Sequence, residues 1–207
     1  LNPPTSGEVY MFDERTTGKT PEKMCRRGLS RTFQIPIPFP KMTVLENVMT
    51  ATIFGNKAGS IKDPAAHSRQ MLEFVEFPIT EDTISEQLNT VQLKRLDLAR
   101  ALASRPKMLF LDELASGLSE GELKEIMALI LKIRDQGITI LMIEHIMQLI
   151  MNLCNRLVCI QFGTNIAEGT TEERLAVIPV AEPVERIIQL PAPEGGLGIL
   201  FVEEVIK

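Results

Sequence analysis

Residues 107–118 read KMLFLDELASGL, and this stretch decides the fold. Lys107 precedes a short apolar run that ends in two adjacent carboxylates, Asp112 and Glu113. The chain then breaks into the small-residue turn of Ala115, Ser116 and Gly117. An apolar run of that length, without alternation, predicts a fully buried parallel strand. In open α/β sheets, ligands collect beyond the carboxyl ends of such strands. Asp112 and Glu113 therefore stand where a metal ion and an attacking water are handled. Two acids can also simply end a strand and cap the next helix, so the neighbouring residues decide between these readings.

Upstream, Leu88, Asn89, Thr90, Val91 and Gln92 open the run LKRLDLARALASRPK. Leu93, Leu96, Leu98, Ala99 and Leu102 recur at helical spacing and Pro106 stops the run, which predicts a helix over 91–104. Downstream, GITILMIEH (137–145) predicts a second buried strand ending in Glu144 and His145. Residues 120–135 are amphipathic, with Leu123, Ile126, Met127, Ile130 and Ile133 on one face. Residues 146–155 follow as a helix, and 156–162 with 165–168 as a closing strand pair. Toward the front, residues 7–13 (GEVYMFD) alternate like a strand. Residues 21–27 make a short helix with proline in its first turn. Arg31-Thr32-Phe33-Gln34 then leads into the proline-broken loop IPIPFP and on to MTVLENV. Residues 42–51 and 64–76 read as helices divided by the flexible linker FGNKAGSIKD. Together with 91–104 they form a helical lobe inserted into an α/β core. After Glu173, prolines 179, 183, 191 and 193 and the run EGGLG break the pattern. VERIIQL (184–190) and GILFVEEVI (198–206) are strand candidates in a tail that is either a small β-extension or unrelated sequence.

The order RTFQ, signature-like helix, LDE, small-residue turn and IEH resembles the nucleotide-binding subunit of ATP-binding cassette (ABC) transporters. GLSRTFQ, MTVLENV, LARALASRPK, IRDQGITILMIEH, LCNRLV and IAEGT resemble the branched-chain amino acid importer group in particular. The resemblance runs from Asn2 to Glu173, and its specificity lies in several motifs kept in order. It implies an α/β, P-loop NTPase-like ABC ATPase core with an inserted helical subdomain and a truncated N-terminal part. Residues 1–41 would be partial core with the Q-loop, and 42–105 the helical subdomain with the signature helix. Residues 106–173 would be core with the Walker B strand, D-loop and switch histidine, and 174–207 a C-terminal extension.

The resemblance also implies ATP hydrolysis coupled to import of branched-chain amino acids or related amides, with ATP and Mg²⁺ as cofactors. Asp112 would hold Mg²⁺, Glu113 would act as general base, and His145 would contact the γ-phosphate. Gln34 would touch metal and water. Leu88, Asn89, Thr90, Val91, Gln92, Ser116 and Gly117 would line the nucleotide at a dimer interface. The implied partners are a second ATPase subunit and a transmembrane permease docking on the loop from Gln34 to Met42. The implied location is cytoplasmic, peripheral on the inner face of the cell membrane. Such roles suit phosphoryl transfer, which is mostly positioning plus electrostatic stabilisation.

Three departures qualify the resemblance. The 207 residues contain no GxxxxGK[ST] phosphate cradle. Gly18-Lys19-Thr20 imitates its end, but Asp13 stands where the first glycine belongs, and a carboxylate there opposes a phosphate. The cradle is expected upstream of Leu1, and the 207 residues alone are expected to be inactive. The signature LNTVQ has no glycine, and Leu114 replaces the proline that usually follows the catalytic Glu. A divergent branch of the same importer group shares both features. Two other readings remain: a non-hydrolysing remnant acting as an interaction module, and a phosphotransferase built on Gly18-Lys19-Thr20.

Composition narrows the field. At 23.1 kDa and 44% hydrophobic residues, the chain suits one α/β domain with an appendage. Net charge is −5, and the only local basic cluster is Arg26-Arg27, so nucleic acid is not expected as a partner. No apolar run approaches the ~18–20 residues of a membrane helix, and no signal peptide is recognisable. Cys25, Cys154 and Cys159 form neither a CxxC pair nor an even framework and read as reduced thiols. With only His67 and His145 available, a structural zinc site is not expected.

Overall fold

The computed structural model describes residues 4–55, 61–161, 163–170, 198–199 and 201–202. The chain opens with a two-stranded hairpin, β1 (Tyr10–Met11) and β2 (Glu14–Arg15), and then α1 (Pro21–Arg26) and β3 (Leu29–Arg31). A lobe of α2 (Val44–Phe54), α3 (Pro64–Phe74) and α4 (Thr90–Ala103) follows. The core resumes with β4 (Met108–Asp112), α5 (Glu120–Arg134), β5 (Thr139–Ile143) and α6 (Met147–Leu153). It closes with β6 (Arg156–Gln161) and β7 (Thr164–Thr170), and then β8 (Gly198–Ile199) and β9 (Phe201–Val202).

The run at 108–112 is a central parallel strand. β3, β4 and β5 lie side by side in register, with Arg31 opposite Phe110 and Asp112 opposite Ile143. Leu109, Leu111, Ile140 and Met142 are fully buried, as expected of strands covered on both faces. Leu123, Ile126, Leu129, Ile130 and Ile133 of α5 join the same core, while Met127 packs at its margin. The order of the main sheet is β3-β4-β5-β8-β6-β7, with β9 also pairing β6. β6 and β7 form the expected antiparallel pair, with an irregularity at Cys159/Ile160.

Helix starts follow capping chemistry. Thr43 and Glu46, Asn89 and Gln92, and Ser119 and Glu122 form reciprocal capping boxes on α2, α4 and α5, and Asp63 caps α3 ahead of Pro64. The lobe packs around Val44, Val48, Leu72, Val75 and Leu98, and Thr52 and Ser68 hydroxyls meet at 2.8 Å between α2 and α3. α2 ends against α4 at Gly55. A Cβ there would lie 2.4 Å from the Ala51 carbonyl oxygen and 2.6 Å from Ser104 Cβ, so only glycine permits this approach.

Two expectations change. Residues 7–13 are not one strand, because the chain reverses at Phe12 and Asp13. Their φ values of 49° and 62° are both left-handed, as in the two-residue hairpin turn that matches strand twist. Neither residue is glycine, so the turn leaves no signal in the sequence. Of the tail, VERIIQL lies outside the described residues. The described part of GILFVEEVI forms strands as expected, but they lie in the main sheet: β8 pairs parallel with both β5 and β6, and β9 with β6. Cys154 is buried, which pushes its thiol up to about 12 and leaves it an inert core group.

Candidate functional site

Parallel pairing of β3, β4 and β5 brings the ends of three separate sequence segments together. Asp112 closes β4, and its Oδ2 accepts a hydrogen bond from Arg31 Nη2 on β3 at 2.6 Å. Its backbone N–H donates to Thr32 Oγ1. Glu113 follows with φ 44°, a left-handed backbone that a non-glycine residue adopts only when its surroundings enforce it. Those surroundings are visible: the Glu113 N–H donates to the Ile143 carbonyl at 2.9 Å, extending the β4–β5 ladder through the bend. The Glu113 carboxylate accepts a hydrogen bond from Gln34 Nε2 at 2.5 Å. Gln34 and Glu113, far apart in sequence, are thus one polar pair. His145 lies exposed just past the end of β5, two residues beyond the partner of Asp112.

The turn after Glu113 is closed by Ser116 N–H to the Glu113 carbonyl and by Leu118 N–H to the Ala115 carbonyl. Gly117 has φ +75° with open space around it, so the backbone conformation rather than crowding calls for glycine. Two buried ionisable side chains hold this turn. Lys94 of α4 donates to the Leu114 carbonyl at 2.7 Å, and Glu144 accepts the Ala115 N–H at 2.9 Å. Burial pushes the Glu144 carboxyl up, with the Ala115 N–H and nearby His145 opposing, and pushes the Lys94 ammonium down, with Glu144 and Glu113 opposing.

The signature segment Leu88–Gln92 forms the start of α4. Asn89 accepts from the Gln92 N–H at 3.0 Å while Gln92 Oε1 accepts from the Asn89 N–H at 2.9 Å, so this carboxamide is committed to its own helix cap. Thr90 is exposed at the first helical position and Leu88 is buried. Gly18-Lys19-Thr20 follows the small β1–β2 hairpin rather than a strand of the main sheet, so no strand–loop–helix phosphate cradle forms there. Gln34, Asp112 and Glu113 are therefore directly assembled by the fold, with His145 at the same sheet end. Leu88–Gln92 sit apart on α4, and Ser116 and Gly117 lie in the turn after Glu113.

The sequence pattern of the ABC transporter family matches residues 1–116. The chain belongs to the ABC transporter family. It is 35% identical over 186 residues to the high-affinity branched-chain amino acid transport ATP-binding protein BraF of Pseudomonas aeruginosa, spanning 82% of this chain and 72% of that protein. It is 33% identical over 184 residues to the corresponding LivG protein of Escherichia coli K12, with the same coverage of both. Among solved structures, a nucleotide-free ATP-binding cassette from an ABC transporter superposes with a TM-score of 0.73 at 30% identity, over 83% of this chain and 72% of that one.

In this ABC transporter chain, no cluster of three or more His, Cys, Asp or Glu side chains poised to hold a metal occurs among the described residues. The oxygen donors of Asp112 and Gln34 nevertheless fit Mg²⁺, which takes one or two protein oxygens and completes its shell with phosphate and water. Sequence reading missed the residues that support the site: Arg31 on Asp112, Lys94 and Glu144 on the turn, and Asp97 of α4, whose Oδ2 accepts the Phe33 N–H at 3.0 Å. For Lys94 and Asp97 the one signal was charge inside an apolar helical run, LKRLDLARAL. Lys94, Arg95 and Asp97 are all under 9% exposed.

Proposed function

We propose that this chain is the ATP-binding, ATP-hydrolysing subunit of an ABC importer for branched-chain amino acids or related amides. The observation that carries this reading is the Gln34–Glu113 hydrogen bond beside Asp112, at the carboxyl ends of adjacent parallel strands. The relatives' printed role in branched-chain amino acid transport supports the solute class.

In the proposed reaction, Glu113 takes a proton from the water that attacks the γ-phosphorus while the bond to the β–γ bridging oxygen breaks and ADP leaves, and Gln34 orients the Glu113 carboxylate through the bond it already makes. His145 donates to a γ-phosphate oxygen. Asp112, with Gln34, would hold Mg²⁺, which would supply charge neutralisation at the phosphates. Ser116, Gly117 and Leu88–Gln92 face the nucleotide across a pair of ATPase subunits.

A permease docks on the loop from Gln34 to Met42. Ile35, Ile37 and Phe39 are 74%, 76% and 48% exposed there and Phe33, just before the loop, is 53% exposed, an apolar surface beside the catalytic glutamine. The complex sits peripherally on the inner face of the membrane. Among the described residues, no helix is long and apolar enough to cross a membrane.

The commitment of Asn89 to its own cap favours a second reading, a cassette that binds nucleotide without hydrolysing it. Glu113→Gln, in the complete importer reconstituted with its permease, separates the two. Hydrolysis that falls at least a hundredfold with ATP binding retained supports the catalytic reading. A fall of less than about tenfold removes Glu113 as the base. Absence of solute-stimulated hydrolysis in the parent supports the second reading.

A further inference from the structure

Three charged residues three apart on α4, Lys94, Asp97 and Arg100, share one face of the helix. Each grips the main chain of a different segment. Lys94 Nζ donates to the Leu114 carbonyl at 2.7 Å and reaches the Glu113 carbonyl at 3.5 Å. Asp97 Oδ2 accepts the N–H of Phe33, the residue before Gln34. Arg100 Nη1 donates to the Ile37 carbonyl at 3.1 Å, lies 3.6 Å from Asp97 Oδ1, and its guanidinium stacks 5.6 Å from the Phe39 ring centroid. Lys94 and Asp97 are 3% and 6% exposed, and Arg100 Nε is buried without a hydrogen-bond partner.

Packing alone does not account for this row. Leu96, Leu98 and Ala99, interleaved with it, fill the same helix at 0–1% exposure, and burying a charged group costs far more than burying an aliphatic one. Each of the three holds a backbone atom, so α4 is tied at once to the Glu113 turn, to the residue before Gln34 and to the Ile37–Phe39 loop. On the far side of the Glu113 turn, Glu144, just past the end of β5, holds Ala115 and fixes the other edge.

We propose that Lys94, Asp97 and Arg100 are positioning residues forming a relay along α4, which ties the apolar loop at residues 35–39 to the placement of Glu113 and Gln34. Resting on the functional reading above, the relay makes hydrolysis responsive to what occupies that loop. The signature segment that opens α4 is on the same rigid body, so its engagement is felt at the same two groups.

The test uses the complete importer in nanodiscs, measuring kcat and KM for ATP, the ratio of solute-stimulated to basal hydrolysis, and melting temperature. Lys94→Met and Arg100→Met keep side-chain length while removing the grip. Lys94→Met is expected to lower kcat at least tenfold with KM for ATP within about twofold, and Lys94→Gln, which retains a donor, to recover a large part of it. Arg100→Met is expected to lower the stimulation ratio at least fivefold. Asp97→Asn keeps volume and an oxygen for the Phe33 N–H but loses the charge facing Arg100. It is expected to lower the ratio at least threefold, and it decides the outcome alone if a methionine variant does not fold. Variants that only melt earlier, with kcat and the ratio unchanged per folded molecule, overturn the relay. Glu113→Gln run in parallel separates the two failures: if it leaves hydrolysis intact, the functional reading falls instead.

Discussion

Glu113 and Glu144 are carboxylates in one small region with opposite circumstances. Glu113 is bent into a left-handed backbone and presents its carboxylate to Gln34, while Glu144 is 1% exposed and spends one oxygen on the Ala115 N–H. Its second oxygen is buried without a hydrogen-bond partner. Burial raises the Glu144 carboxyl, so the folded state holds a proton that the unfolded chain releases near pH 4.3. Stability from this group is therefore fully present below pH ~4.3 and is lost as pH rises toward the raised folded value. Lys94, His145 and Glu113 are the ionisable groups that face it. Glu144→Gln, which cannot ionise, is expected to flatten this part of the profile. Urea unfolding at pH 5 and pH 8 should show the parent losing more stability than the variant across that interval. Equal losses would show that Glu144 is ionised in both states. At this scale the placement of Asp112, Glu113 and His145 at the ends of parallel strands was legible, because each follows an apolar run. Glu144 ends the same strand as His145 in the sequence, but nothing local distinguishes a solvated acid from one turned inward.

Helices were the most legible elements. The expected helix at 120–135 is α5 at Glu120–Arg134, and 64–76 is α3 at Pro64–Phe74, because each start carries a capping residue and each interior a 3.6-residue apolar period. α4 was placed correctly, yet its apolar period did not announce that Lys94, Arg95 and Asp97 are buried as well. Periodicity records which residues are apolar, not which polar ones find backbone partners inside. The LNTVQ segment has the same lesson, since Asn89 and Gln92 form a capping box that a signature reading passes over. Asn89→Ala is accordingly expected to cost about 1 kcal/mol of stability in the chain without any nucleotide present, measured by urea titration. A change below about 0.3 kcal/mol would mean the cap contributes little and would return Asn89 to a purely ligand-facing role.

Long-range pairing is where sequence reading ran out. β5 and β6 are both parallel members of the main sheet, yet they pair through β8 rather than with each other in the sheet order. Gly198 stands opposite Leu141 on one side and Arg156 on the other, Ile199 opposite Met142, and Phe201 and Val202 opposite Cys159 and Ile160. No local pattern in a proline-rich tail announces that its last strands complete the sheet beside residues so far upstream, because pairing partners are chosen by the assembled core. The flanking side chains of this slot, Ile140, Met142, Leu157 and Val158, are buried, so emptying it would leave backbone N–H and C=O groups of two strands without partners in a largely apolar setting. Each lost hydrogen bond is worth about 0.5–1.5 kcal/mol net, and more where the orphaned group stays dry. Ending the chain after residue 197 is therefore expected to lower the melting temperature by about 10 °C. It should also raise concentration-dependent aggregation, since two exposed strand edges invite pairing between molecules. Calorimetry with light scattering reads both effects. A truncated chain that melts with the parent and stays monomeric would show that β8 and β9 decorate the sheet without supporting it.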